Sequence, residues 1–332
     1  MNSEIKRITS IDVAKAAGVS QSTVSRTFSG GKVSSIKRDR VLAAAAKLRY
    51  SPNGIARSLI TQQTHIIGFV LAGMSSPFNA YMMQKFASRL QEIGYQLLVF
   101  TAEKEDEIDA LLARVLQYRV DALIITAASL SSEMADICAA TNTPVILFNR
   151  LAKEADASIV ACDNYAGGKQ VAAVLIDAGH ERLAYIAGPA HASTNAEREA
   201  GFVNGLTQKK MTLFRRGEAF YSYQSGYAAA KQLLTAAKMP DAIFCASDVI
   251  AVGALDCARD MDVDVPNELS IIGFDDIPEA AWSAYALTTM RLPVNRMIDG
   301  TISLLECALA APTKPETQIF PPVLIKRESA NI

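Results

Sequence analysis

Residues 11–28 read IDVAKAAGVSQSTVSRTF. This stretch predicts two short helical segments joined by a tight turn. Gly18 is a stop signal for the first segment. Ser20 is suited to cap the second segment, which runs over 21–28. A third helix is predicted over 34–48, with small apolar residues facing the other two. Short helices connected in this way predict a helix-turn-helix.

The second helical segment carries side chains suited to the major groove of DNA. Arg26 can bind guanine in bidentate fashion, and Gln21 can read adenine. Ser22 shares their face of the helix. Short hydroxyl side chains at the positive end of a helix are suited to phosphate contacts. The residues predicted to make such contacts are Ser20, Thr23 and Ser25. A three-helix module with an ordinary solvated face is the alternative on this pattern alone.

The charge of the chain is divided unevenly. Residues 1–62 contain eleven Lys or Arg against three acidic residues, a net charge of +8. The remaining residues contain 22 basic and 31 acidic residues, a net charge of −9. This asymmetry predicts that the front of the chain binds a polyanion and the rest does not.

From residue 65 onward, apolar runs of strand length alternate with amphipathic helical segments. The predicted strands span 65–71, 95–100, 120–126, 144–148, 157–162, 182–187, 241–245 and 269–274. The tail is predicted to be extended over 287–291, helical over 294–310 and extended over 317–326. Alternation at this spacing indicates parallel sheets with helices on both faces. The series is long enough for two doubly wound lobes, divided near residue 163.

Several function classes lack support in the sequence. The five cysteines form no CxxC pair, so neither a disulfide framework nor a zinc cluster is expected. The sequence contains no GxGxxG after a strand, no GxxxxGK[ST] and no HExxH. We therefore expect no enzyme, no cofactor and no metal. The first ten residues lack the apolar stretch of a signal peptide, which predicts a cytoplasmic protein.

Residues 8–62 resemble the DNA-binding headpiece of the LacI/GalR family of bacterial transcription regulators. The matching elements are DVAKAAGVS at 12–20, STVSR at 22–26, VS at 33–34 and YSPNGIARSL at 50–59. The resemblance implies a headpiece over 8–52, then a hinge helix and linker over 53–64. Ser29 departs from the asparagine usual in the family. The implied minor-groove contacts are Asn53, Arg57, Ser58 and Leu59, with the leucine wedged into a base step. A core leucine is the alternative.

Residues from 65 to 330 resemble the family's effector-binding core, which is similar to periplasmic sugar-binding proteins. The anchors include SPF at 76–78, FNR at 148–150 and GFDD at 273–276. The resemblance implies a first lobe of about 65–162 and 292–321, and a second lobe of about 163–290 and 322–330. Ligands of open α/β sheets lie beyond the carboxyl ends of strands. The implied effector contacts are Phe78, Asn79, Asn149, Arg150, Asp163, Thr194, Arg198, Tyr223, Ser247, Asp248, Asp275 and Trp282.

Some of these residues have a structural alternative. Asp163 and Asp248 can each cap a following helix, and Arg150 can form only a salt bridge between the lobes. The expected function is a ligand-responsive repressor of a carbon-source operon, controlled by a sugar, polyol or sugar acid. It is expected to bind a pseudo-palindromic operator as a homodimer. Alternatives are a nucleotide- or nucleoside-responsive regulator, or a solute-binding protein without a DNA function, which the basic front of the chain disfavours.

Overall fold

The computed structural model describes residues 8–52, 58, 63–72, 76–102, 108–126, 132–151, 157–311 and 313–332. The chain divides into two compact units, Met1–Thr64 and His65–Ile332. The division follows the polar stretch TQQT at 61–64, which separates the basic front of the chain from the first predicted strand.

The first unit contains short helices around a small apolar core. They are α1 (Ser10–Ala17), α2 (Gln21–Phe28) and α3 (Ser35–Leu48), which confirms the predicted helix-turn-helix. Thr9 and Asp12 form a capping box at the start of α1. Gly18 ends α1 with φ of 62°, a left-handed conformation that glycine adopts without steric cost. The core residues are Val13, Ala14, Ala17, Val24, Val41, Ala44 and Ala45.

The second unit contains two α/β lobes, and the first lobe begins it. Apolar strands alternate here with helices, as the sequence predicts. The elements are β1 (Ile66–Ala72), α4 (Pro77–Glu92), β2 (Gln96–Ala102), α5 (Ile108–Leu116), β3 (Ala122–Ile125), α6 (Ser132–Ala140), β4 (Val145–Phe148) and β5 (Ser158–Cys162).

The second lobe follows without a break and repeats the alternation. Its elements are α7 (Asn164–Asp177), β6 (Leu183–Ala187), α8 (Ser193–Gln208), β7 (Arg215–Glu218), α9 (Tyr223–Leu234), β8 (Ala242–Cys245), α10 (Asp248–Asp260), β9 (Ser270–Asp275), a 3-10 helix (Pro278–Ala281) and β10 (Thr288–Arg291). The tail adds α11 (Val294–Ala310), β11 (Thr317–Phe320) and β12 (Val323–Ile325).

Each lobe is built on one sheet. The first sheet has the order β11-β5-β4-β3-β1-β2, with every pair parallel. The second has the order β12-β10-β9-β8-β6-β7, with only β12 antiparallel to its neighbour. In the described part of the chain, three connections therefore cross between the lobes. They lie at residue 163, at 292–293 and at 321–322.

Two elements differ from the sequence prediction. The segment 317–326 is not one strand, because Pro321 and Pro322 divide it and send its halves to different sheets. The strand β7 was not predicted at all. It reads RRGE and lies at the edge of its sheet with three of its residues exposed. Such a strand has no apolar run to reveal it.

Helices α7 and α8 pack unusually closely through glycines. A β-carbon at Gly168 would collide with the carbonyl oxygen of Arg198, and one at Gly201 would collide with that of Tyr165. Gly205 meets Ala172 in the same way. This contact holds the first half of α8, and with it the side chain of Arg198, against the core of the second lobe.

Candidate nucleic-acid interface and ligand cleft

The N-terminus of α2 presents a cluster of hydroxyl groups. The Ser20 side chain accepts a hydrogen bond from the Thr23 backbone N–H and caps the helix. Its hydroxyl also lies 2.8 Å from that of Ser22 and 3.0 Å from that of Thr23. Hydroxyls at the positive end of a helix are suited to bind a phosphate.

The solvent side of α2 carries the side chains predicted to read bases. Gln21, Ser22, Ser25 and Arg26 are exposed, whereas Val24 is buried in the core. Gln21 Nε2 donates a hydrogen bond of 3.0 Å to Ser10 Oγ. A glutamine amide carries two N–H donors and one acceptor oxygen, so Gln21 can keep this bond and still contact a base edge.

The structure describes one of the four residues predicted to contact the minor groove. Asn53, Arg57 and Leu59 lie outside the described residues. Ser58 is helical and half-buried. The hinge helix and linker over 53–64 and the leucine wedge therefore stay predictions.

A cleft lined by both polar and apolar side chains opens in the second unit. It is lined by residues of both lobes, at the carboxyl ends of strands and the starts of helices. The lining residues are Ser76, Phe78, Asn79, Met82, Thr126, Asn149, Arg150, Thr194, Arg198, Tyr221 and Asp275. The position agrees with the rule that open α/β sheets bind ligands beyond their strand ends.

Arg198 is held at the cleft by bonds from each part of its guanidinium. Its Nε donates to Asn164 Oδ1 at 2.9 Å, Nη1 donates to the Ala246 carbonyl, and Nη2 donates to Asp275 Oδ1 at 3.1 Å. The guanidinium also lies 3.8 Å from the centroid of the Phe274 ring. A guanidinium has five N–H donors. These bonds engage three of them, so the group can fix its orientation and still donate to a ligand.

Asp275 ends β9 with its backbone in an uncommon conformation. Its φ is 122°, and that of Asp276 is 58°. Burial raises the pKa of Asp275, while the charge and hydrogen bond of Arg198 oppose that rise. The carboxylate has a fixed donor on one side, which leaves it able to accept hydrogen bonds from a ligand.

Arg150 spans the cleft from the first lobe to the second. Its Nε donates to the Thr126 carbonyl at 2.9 Å, and Nη1 donates to Thr194 Oγ1 at 3.4 Å. Thr194 in turn lies 3.2 Å from the Tyr221 hydroxyl. Asn149 beside it has φ of 57°, and its buried Oδ1 has no hydrogen-bond partner among the described residues. A buried acceptor of this kind requires a donor.

The structure brings seven of the predicted effector contacts together and leaves five outside the cleft lining. Asp163 accepts from the Ala166 backbone N–H and caps α7. Tyr223 donates to Asp256. Trp282 is 56% exposed and stacks on Tyr285. The partners of these side chains do not line the cleft.

Ser247 and Asp248 are buried and do not line the cleft. Ser247 is the buried N-cap residue of α10. Asp248 is fully buried and accepts from Thr289 Oγ1 and the Ile277 backbone N–H. Burial, followed by the charge of Asp275, raises its pKa. Asp248 ties α10 to β10 and to the segment after β9, and it does not itself line the cleft.

Four lining residues were missed by sequence reasoning. Ser76 belongs to the SPF motif and Thr126 follows the end of β3, so both had a usable signal. Met82 lies one helical turn after Phe78 on the inner face of α4. Tyr221 follows β7, the strand that the sequence did not reveal.

Comparisons with known proteins agree with both units. The family of bacterial regulatory proteins named lacI matches residues 10–53. A periplasmic binding protein-like domain matches residues 172–330. The HTH-type transcriptional regulator AscG of Escherichia coli is 32% identical over 329 residues, covering 97% of this chain and 98% of that protein.

A second relative has the same extent of similarity. The HTH-type transcriptional repressor PurR of Erwinia tasmaniensis is 31% identical over 330 residues, covering 96% of this chain and 95% of that protein. The chain belongs to the LacI family. A crystal structure of the Lac repressor dimer bound to operator and the anti-inducer ONPF matches with a TM-score of 0.87 at 25% identity. The match covers 98% of this chain and 99% of that one.

The LacI-family relatives are transcriptional regulators rather than enzymes. Among the residues that the structure describes, no group of three or more His, Cys, Asp or Glu could hold a metal ion. No described helix is long and apolar enough to cross a membrane.

Proposed function

We propose that this LacI-family protein is a cytoplasmic repressor that binds operator DNA through α2 and a small polyhydroxylated effector in the cleft. The effector class is a sugar, polyol or sugar acid. Two protomers, each reading one half-site, would match a pseudo-palindromic operator. The Lac repressor relative is a dimer bound to operator, which supports this assembly.

The observation that carries the effector class is the mixture of hydrogen-bonding groups in the cleft. Arg198 supplies donors, whereas Asp275 and the unpartnered Asn149 Oδ1 supply acceptors. A sugar hydroxyl donates and accepts at once, so neighbouring hydroxyls can satisfy both kinds of group. Phe78 offers an apolar surface for one face of the ligand.

A purine base or nucleoside is the second candidate. Its support is the similarity to PurR, together with the two aromatic side chains, Phe78 and Tyr221, that line the cleft. A flat base could stack on either ring.

A thermal-shift screen separates the candidates, because a ligand that binds only the folded state raises the melting temperature. The panel contains D-ribose, D-glucose, D-gluconate, hypoxanthine and adenosine. We expect a sugar or sugar acid to stabilise the wild type and not Asn149→Ala or Arg198→Ala. Stabilisation by hypoxanthine or adenosine alone would favour the second candidate and contradict the first.

A further inference from the structure

Arg49 directly follows α3 in a left-handed backbone conformation. Its φ is 51° and its ψ is 38°, angles that glycine adopts without steric cost and that other residues rarely adopt. The turn is closed by the backbone, because the Arg49 N–H donates to the Ala46 carbonyl at 3.1 Å. The Tyr50 N–H donates to the Ala45 carbonyl at 2.8 Å. This way of ending a helix is common, and it does not require an arginine side chain.

The Arg49 side chain is not used in the fold of the first unit. It is exposed, and it makes no hydrogen bond or ion pair with another described residue. A positive charge near the C-terminal end of a helix is favourable, but Lys47 in the last turn of α3 already supplies one. Strained backbone of this kind is concentrated at functional sites. The combination points to a role for the guanidinium outside the fold.

The end of α3 is fixed beside the helix that is suited to the major groove. The ring of Tyr50 packs against the ring of Phe28, and the two centroids are 5.9 Å apart. Phe28 is the last residue of α2. Arg49, which precedes Tyr50, is therefore held near the C-terminal end of α2.

The chain after Arg49 leads from one predicted DNA element to another. Helix α2 carries the side chains that we expect in the major groove. Residues 53–64, most of which lie outside the described part of the chain, are predicted to bind the minor groove. A sugar-phosphate strand separates the two grooves of a duplex, so residues 49–52 have to pass it. A guanidinium can bind a phosphate through two parallel hydrogen bonds.

We propose that Arg49 binds a phosphate of the operator at the point where the chain passes from the major to the minor groove. The contact fixes the place at which residues 53–64 enter the minor groove, and it carries no sequence information itself. This inference rests on the proposed function of the first unit as the operator-binding headpiece.

The salt dependence of operator binding by the full chain tests this contact. Arg49→Gly removes the charge and adopts the left-handed conformation freely. A dimer loses two phosphate contacts, so the slope of log affinity against log salt concentration should become shallower by about 2. The probe is the duplex that the wild type selects from a random library, and at about 0.1 M salt its affinity should fall about tenfold. Arg49→Lys keeps the charge and should keep the slope.

Lys210→Gly is the matched control. Lys210 has φ of 62°, follows the end of α8, and is exposed without a hydrogen bond or ion pair to another described side chain. Its N–H donates to the Thr207 carbonyl at 2.9 Å, in the same pattern as the bond from Arg49 to Ala46. The substitution removes the same charge from the same kind of turn in the second lobe. It should leave the affinity and the slope at their wild-type values.

The melting temperature separates a DNA contact from a role in folding. Arg49→Gly should melt at or above the wild type, because glycine relieves the backbone strain. If Arg49→Gly melts lower, Arg49→Asn takes its place, since asparagine also tolerates this conformation.

A wild-type salt slope in the folded variant would overturn the proposal, and so would an equal loss of slope in Lys210→Gly. A wild type that binds no duplex would instead contradict the proposed function itself.

Discussion

Arg198 and Asp275 form an ion pair of 3.1 Å in which the two side chains are only 3% and 8% exposed. The pair joins α8 to the end of β9 across the floor of the cleft. Two opposite charges out of water are tolerated because each satisfies the other and Arg198 is further bonded to Asn164 and Ala246. The cleft therefore contains a polar pair that is already in place before a ligand arrives.

Breaking this pair on one side should destabilise the protein strongly. Arg198→Met leaves the buried Asp275 carboxylate unpaired, and we expect unfolding free energy to fall by about 3–5 kcal/mol in urea titration. The double variant with Asp275→Asn should recover part of that loss, because no charge is left unpaired. Equal losses in the single and double variants would contradict this reading.

The close contact of α7 with α8 should tolerate no added methyl group. Gly168→Ala would press a β-carbon into the Arg198 carbonyl oxygen, and we expect a loss of about 1–3 kcal/mol from overpacking. Gly217→Ala is the control, because its β-carbon would meet neighbours only at 3.5 Å and beyond. A melting temperature of Gly168→Ala above that of Gly217→Ala would refute the packing argument.

Asp248 should give the protein a dependence of stability on pH. Its pKa is raised in the folded state, first by burial and then by the charge of Asp275. The folded protein thus binds this proton more tightly than the unfolded chain does. The resulting stabilisation is complete below the unfolded pKa of about 3.9, and it is lost as the pH rises through the folded pKa.

The test compares unfolding free energies from about pH 4 to about pH 8. As the pH rises, the unfolding free energy of the wild type should fall more steeply than that of Asp248→Asn, whichever protein is the more stable at a given pH. Asp177→Asn is the control, since that carboxylate is 69% exposed in a surface ion pair, and its slope should match that of the wild type. Parallel curves for wild type and Asp248→Asn would show that the buried carboxyl group does not titrate differently on folding.

Substitutions on α2 should separate base reading from general attraction to DNA. Arg26→Ala removes an exposed side chain that can bind guanine in bidentate fashion, so we expect a loss of about 1–3 kcal/mol on the selected operator and relaxed specificity. Lys209→Ala in the second unit is the control and should leave affinity unchanged. Fluorescence anisotropy on selected and scrambled duplexes gives both values, and an equal loss on the two duplexes would assign Arg26 to phosphate contact only.

The fold was predictable where buried strands appear in the sequence as apolar runs. Central strands of parallel sheets are apolar on both faces, so β3 and β8 stand out as apolar runs. The edge strand β7 has no such run. The division at Pro321 and Pro322 was missed because a strand pattern does not say which sheet a strand joins.

The residues that line the cleft were predictable only in part, because the sequence does not specify where a side chain points. Arg198 lies in α8 and Asp275 ends β9, and the resemblance to the family's effector-binding core identifies both. Polar and aromatic residues near such ends serve equally well as caps or surface contacts, which is how Asp163 and Trp282 are used. The choice depends on side-chain directions that spacing alone does not specify.

We expect the front of this chain to read a specific DNA sequence. The test is selection from a random duplex library with the full chain, beside Arg26→Ala. We predict enrichment of a pseudo-palindromic site that the wild type binds at least about a thousandfold more tightly than a scrambled duplex. Failure of the wild type to enrich any sequence, or enrichment of the same site at equal affinity by Arg26→Ala, would show that α2 does not read the DNA sequence in this way.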